Sequence, residues 1–290
     1  MSSSEKIESP QNLRLKAIAR LRTSRGRKRQ THFLVDGVRE TLRAISAGQF
    51  MELVLVCRDH LDEGQQQQVL AACQRASIEV VEASPRAFAK VAFGQREEGV
   101  VGVARATNGS LAEWRSPVPG SIYLVLESVE KPGNLGAIFR TADAFGVAGI
   151  LLTDPVVLPE NPNAIRASLG TVFSVPYVLA DCAVARAWLD RHSIRVYAAR
   201  VQAARAYWDV DFFSGRAESR PEPDSPPPSV AMVLGSEAQG LTEVWQGSET
   251  MGVSIPQRGM ADSLNLSVAA AVLVSEMARQ RQMGRGERST

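Results

Sequence analysis

The chain has 290 residues, of which 44% are hydrophobic and 22% charged, with a formal net charge of +2. That balance is that of a globular protein with a real core, spread over one large or two ordinary domains. Three cysteines without a Cys-x-x-Cys pair and three scattered histidines exclude a disulfide framework and a zinc site, and no run reaches the roughly 18 apolar residues of a membrane span.

Residues 1–31 hold nine Lys/Arg against two Glu, with Arg20, Arg22, Arg25, Arg27, Lys28 and Arg29 close together. Such a cluster suits a polyphosphate, because each neutralised phosphate releases condensed counterions. From charge alone, a solvated basic arm is the simpler reading. The polar start lacks the apolar stretch of a secretory leader. Residues 13–22 are amphipathic and arginine-rich, a pattern shared by transit peptides and surface helices, and a reducing cytoplasm is the expected compartment.

From Phe33 onward, short β-rich runs at 33–36, 52–57, 78–81 and 100–103 alternate with helical patterns at 39–47, 63–75 and 86–91. This predicts a small α/β domain over residues 1–106. Thr107 to Ser110 and Pro117 to Gly120 have turn chemistry, so residues 107–120 read as a linker. A second domain, 121–290, follows. Its apolar runs at 122–126, 148–152, 194–198, 230–234 and 251–255 are those of buried parallel strands separated by helices. Five prolines within 220–228 mark a surface excursion before the fourth of these runs.

Three segments of the second domain carry chemistry. In the first, residues 127–146, a strand turns through Pro132 and Gly133 into a helix with Leu135, Ile138, Phe139 and Ala142 on one face. Asn134 falls where an N-cap belongs. The Gly-x-Gly-x-x-Gly spacing of a dinucleotide site is absent, and Arg140 also fits a surface ion pair with Asp143 at i+3. The second, residues 233–241, runs from a strand into a loop with Gly235, Glu237 and Gly240, and a helix is expected from Thr242. The third begins with Ile255 and Pro256, passes through a polar loop containing Gly259, and reaches Ser263, Leu264, Asn265 and Ser267 at the start of a helix ending near residue 282. Helix capping by one of these polar residues explains them without any ligand.

In this order, the segments resemble the three signature motifs of the SpoU/TrmH RNA methyltransferases: Glu-x-x-x-x-Pro-x-Asn-x-Gly-Ala-x-x-Arg-Thr-Ala, Gly-x-Glu-x-x-Gly-Leu, and Ile-Pro followed by Ser-Leu-Asn-x-Ser. Residues 163–170 resemble the family's segment between motifs one and two. Ser9, Pro10, Gln11, Asn12 and Lys16, followed by Phe33 to Gly37, resemble the ribosomal-protein-like RNA-binding domain that precedes the catalytic domain in several members. Departures from the family pattern are Asp36 in place of Glu, Lys131 in place of Asp and Gln257 in place of Met.

The resemblance implies an α/β fold: a mostly parallel sheet threaded into a trefoil knot, preceded by the small α/β RNA-binding domain. It implies S-adenosylmethionine as methyl donor, no metal, and a homodimer that brings motif-one residues of one subunit towards the cofactor of the other. Cofactor contacts would come from Leu234, Gly235, Ile255, Gly259 and Leu264. Asn134, Arg140, Glu237, Ser263 and Asn265 would form the catalytic set, and Arg25, Arg27, Lys28, Arg29 and Arg166 would meet RNA. The substrate expected is large-subunit ribosomal RNA. A transfer-RNA methyltransferase, or a catalytically silent RNA-binding ribosome-assembly factor, are the alternatives.

Overall fold

A computed structural model describes residues 6–23, 31–93, 98–106, 109–114, 116–203, 205–213, 226–236 and 240–286. Two compact units emerge, Met1–Thr107 with Leu158–Ser174, and Asn108–Val157 with Val175–Thr290.

Unit 1 runs β1 (Lys6–Ile7), α1 (Leu13–Arg20), β2 (His32–Asp36), α2 (Val38–Ser46), β3 (Met51–Val56), α3 (Glu63–Arg75), β4 (Glu79–Ala83), α4 (Pro85–Phe88) and β5 (Val100–Arg105). The short helix Pro162–Ala167 completes it. The sheet order is β1-β4-β3-β5-β2, with β1, β4 and β3 parallel and β5 antiparallel to both neighbours. Side-chain caps start α1, α3 and α4. The Asn12 side chain accepts the N–H groups of Arg14 and Leu15, Asp62 and Gln65 form a reciprocal capping box, and Ser84 caps α4 ahead of Pro85. Leu15 and Ile18 of α1 enter a core with Leu55, Val81 and Phe88. The helix expected over 86–91 closes after one turn, at Phe88.

Unit 2 runs β6 (Ile122–Glu127), α5 (Pro132–Phe145), β7 (Gly149–Thr153), β8 (Tyr177–Ala180), α6 (Cys182–Arg191), β9 (Arg195–Ala199), β10 (Val230–Leu234), β11 (Thr250–Val253) and α7 (Leu266–Gly286). Its six strands are all parallel, in the order β11-β9-β10-β6-β7-β8. β10 is buried along its whole length between β9 and β6, which is why it reads as an uninterrupted apolar run. Among the described residues no helix is long and apolar enough to cross a membrane.

Two local expectations are corrected. The helix expected from Thr242 is a single 3₁₀ turn, Glu243–Trp245. Asn134 does not cap α5. Pro132 takes the first position, where its fixed φ and missing N–H cost nothing, so Lys131 becomes the cap residue and Asn134 sits inside the first turn.

Candidate functional site

Parallel strands end together on one edge of their sheet, and the loops leaving that edge expose backbone groups that a ligand can use. At the carboxyl ends of β9, β10 and β11 lies a cleft of about 550 Å³. One wall is Leu234, Gly235, Ser236, Gly240 and Leu241, and the facing wall is Ile255, Gln257, Asp262, Ser263 and Leu264. Residues 199–201, at the end of β9, close a third side.

The first wall is a pinched loop. The N–H of Gly240 donates to the Ser236 carbonyl at 3.1 Å, and Gly240 takes a left-handed φ of +67°. A Cβ on Gly235 would collide with the Gly240 carbonyl, so glycine is required there for the two backbones to touch.

Glu127, buried at the end of β6, pins the chain just past this loop. Its carboxylate accepts the Thr242 N–H at 3.0 Å and the Thr242 hydroxyl at 2.7 Å. The Cys182 thiol lies 3.0 Å from the same carboxylate and 3.2 Å from that of Asp154. Burial first, and then these two carboxylates against an opposing Thr153 contact, push the thiol up to about 12, so it stays protonated and donates. Beyond Thr242, the Trp245 carbonyl accepts the Arg200 guanidinium at 2.9 Å.

The second wall is tied to α5. The amide of Asn265 donates to Asn134 Oδ1 at 3.0 Å, while its own Oδ1 accepts the N–H and hydroxyl of Ser267 at 2.9 and 2.7 Å. Asn265 therefore caps α7 and also bridges to motif one.

Of the residues read from the sequence as cofactor contacts, Leu234, Gly235, Ile255 and Leu264 line the cleft, whereas Gly259 lies on the exposed loop outside its lining. Ser263 lines it as well, and the Asn134–Asn265 pair adjoins it through Leu264. Arg140 does not line it. It is exposed on α5, six residues or about 9 Å of helix beyond Asn134. Among the described residues the ion pair with Asp143 is not formed, and Arg140 has no carboxylate partner. Glu237, Arg25, Arg27, Lys28 and Arg29 lie outside the described residues.

Arg166, in unit 1, is already engaged. Its guanidinium pairs with Asp36 and donates to the Phe93 carbonyl at 3.2 Å. Burial raises the Asp36 carboxyl to about 6; Arg166 opposes this, and Glu98 and Glu40 add to it. The parts that Thr242, Cys182 and the end of β9 play at this site escaped the sequence reading. So did the role of Glu127, although a carboxylate closing a wholly apolar strand was a visible signal.

Residues 121–275 match the model of the SpoU rRNA Methylase family, and residues 12–102 match the MRM3-like substrate binding domain. The 23S rRNA (guanosine(2553)-2′-O)-methyltransferase RlmP of Bacillus subtilis is 26% identical, covering 93% of this chain and 98% of its own. A crystallised RNA 2′-O ribose methyltransferase is 35% identical with a TM-score of 0.78, covering 96% of this chain and 99% of that one. The AdoMet-bound rRNA methyltransferase from Sinorhizobium meliloti is 26% identical with a TM-score of 0.81, covering 95% and 98%.

Proposed function

The chain belongs to the SpoU rRNA Methylase family, and from that premise we propose that it methylates a ribose 2′-hydroxyl of RNA, with S-adenosylmethionine as donor and large-subunit ribosomal RNA as substrate. The observation that carries this reading is the convergence of the second and third motif loops on one cleft, joined to the first motif through Asn134 and Asn265. A volume of about 550 Å³ lies within the range of small-molecule sites, and the glycine neck leaves bare backbone facing the space. These features fit the donor, and the substrate class follows relatives that carry rRNA in their names.

When bound, the donor supplies an electrophilic methyl group on a sulfonium. Leu234, Gly235, Ile255 and Leu264 would hold it largely through backbone groups, with Gly259 nearby on the exposed loop. Ser263, on the cleft wall, would lie near the transferred methyl group or its acceptor, and Asn134 and Asn265 fix the motif-one and motif-three loops against each other. In-line transfer then needs the hydroxyl aimed at the methyl, and positioning of this kind supplies about 7–11 kcal/mol. Using an arginine as base near neutral pH costs on the order of 9 kcal/mol. A cationic Arg140 that steadies the developing alkoxide makes the hydroxyl a stronger acid, so its proton passes to solvent water as the O–C bond forms and the S–C bond breaks, without that cost. Its position on the open face of α5 suits action on the cleft of a second copy, so a homodimer belongs to this reading, as do the trefoil threading of the C-terminal segment and a cytoplasmic setting.

Residues 1–106 supply RNA affinity, including the segment with Arg25, Arg27, Lys28 and Arg29, and residues 121–290 supply methyl transfer across the 107–120 linker. Arg166, held by Asp36, is a further phosphate contact in this reading. The test is a map of ribose methylation across ribosomal and transfer RNAs with and without the gene, beside a calorimetric titration of S-adenosylmethionine. Loss of one large-subunit position is expected. Loss of a transfer-RNA position instead corrects the substrate, and absence of donor binding removes the assignment altogether.

A further inference from the structure

Unit 1 carries a hollow of about 490 Å³ lined by residues 8–11 together with Arg86 and Lys90. Its walls are stitched by hydrogen bonds. The Ser84 hydroxyl donates to the Glu8 carbonyl at 3.1 Å, the Ser84 N–H donates to the Ile7 carbonyl at 3.0 Å, and the Ser9 hydroxyl accepts the Gln11 N–H at 3.2 Å. On the far side, Arg22 donates to the Lys90 carbonyl at 3.2 Å, with its guanidinium 5.2 Å from the centre of the Phe93 ring. The backbone around the hollow is therefore fixed. Among the described residues neither Arg86 nor Lys90 has an ion-pair partner, although Arg14 and Arg58 of the same unit pair with Glu79 and Glu82.

Two like charges held beside one hollow repel each other, and an anion entering it relieves that repulsion. Among the described residues Glu8 is the one carboxylate-bearing residue of the lining, so the balance of the described lining charge is positive. Lys16 and Arg20, one turn apart on exposed positions of α1, carry further positive charge on an adjoining element. Among the described residues nothing aromatic lines the hollow, so they offer no platform on which a base could stack. Its chemistry is that of a backbone contact, which positions a nucleic acid without reading its sequence.

We infer that the hollow walled by Ser9, Gln11, Arg86 and Lys90 is a phosphodiester subsite for the RNA substrate. The inference rests on the proposed action on RNA and adds where unit 1 grips the strand. The family-like residues Ser9 and Asn12 then have a physical purpose: they shape the turn that forms one wall.

The test uses the full chain with Arg86 and Lys90 both changed to Gln, and Arg75→Gln as control, an exposed cation at the end of α3 that does not line the hollow. RNA affinity is measured against salt, for several unrelated sequences. The double variant is expected to weaken binding uniformly and to make the salt slope shallower by about 2, roughly one for each lost phosphate contact. Donor affinity and Tm should match the wild type, and the control should keep its slope. An unchanged slope in the double variant, or an equal fall in the control, overturns the subsite. Inorganic phosphate that binds at Arg86 and Lys90 while the RNA slope stays unchanged assigns the hollow to a free anion and also overturns it. Wild-type protein that binds no RNA at all would remove the functional reading itself, an outcome distinct from the others.

Discussion

The amide of Asn265 donates to Oδ1 of Asn134 at 3.0 Å across 131 residues of sequence, and the same Asn265 caps α7 through Ser267. One side chain thus serves both the helix start and the junction between two motifs. Serine is as good a cap as asparagine but too short to reach Asn134. Asn265→Ser should leave Tm within a few degrees of wild type and lower single-turnover methylation at least roughly tenfold, because small misplacements of reacting groups are costly. Asn265→Ala should add a loss of about 1 kcal/mol of stability. Full activity in the serine variant would show that the junction is dispensable.

Glu127 makes a separable prediction. Its carboxylate takes two donors from Thr242, and a Gln amide turns one of its two acceptors into a donor. Hydrogen bonds to a buried charged group are worth about 1.5–3 kcal/mol, so Glu127→Gln should weaken donor binding by roughly tenfold or more. The rate at saturating donor should change much less, since Glu127 holds Thr242 and does not line the cleft. Calorimetric affinity and kcat measured on one preparation separate the two, and a fall in kcat alone would contradict a positioning role.

These two residues also mark what the sequence could and could not carry. Strands buried on both faces, such as β10, leave a continuous apolar signature, and Leu234, Gly235, Ile255 and Leu264, which the family resemblance implies as cofactor contacts, line one cleft. Asn134 was misread locally because the preference of asparagine for a cap competes with that of proline for the first helical position, and Pro132 won. The Glu127 partner lies 115 residues away, and no periodicity carries information over such a distance. Likewise the Leu158–Ser174 segment groups with unit 1 through pairs such as Asp36–Arg166, which only the folded chain brings together.

That pair has a pH signature. The Asp36 carboxyl rises from the ordinary 3.8 to about 6, mainly through burial, with Glu98 and Glu40 adding to the rise and Arg166 working against it. The folded chain therefore holds this proton more tightly than the unfolded chain does. The stability it contributes is fully present below about pH 4 and is lost as pH climbs through 6, a change on the order of 3 kcal/mol. Asp36→Asn cannot titrate, so the wild-type-minus-variant stability from urea unfolding should decline between pH 4 and 6 and then level off. A difference that stays flat over that window would mean that Asp36 ionises as it does in the unfolded chain.

Arg140 carries the sharpest chemical prediction. It is exposed on α5 and, among the described residues, has no ion-pair partner, so replacing it should move neither Tm nor donor affinity. If its guanidinium steadies negative charge developing on the ribose oxygen, Arg140→Ala should lower kcat by about 10²–10³, the cost of deleting one such donor. Lysine keeps the charge but loses the planar fork. Arg140→Lys should therefore stay within roughly tenfold of wild type, with a pH–rate profile unchanged in shape. A lysine variant as inactive as the alanine one would instead require the guanidinium fork itself, gripping a phosphate bidentately or taking the proton, and the electrostatic account would have to be given up.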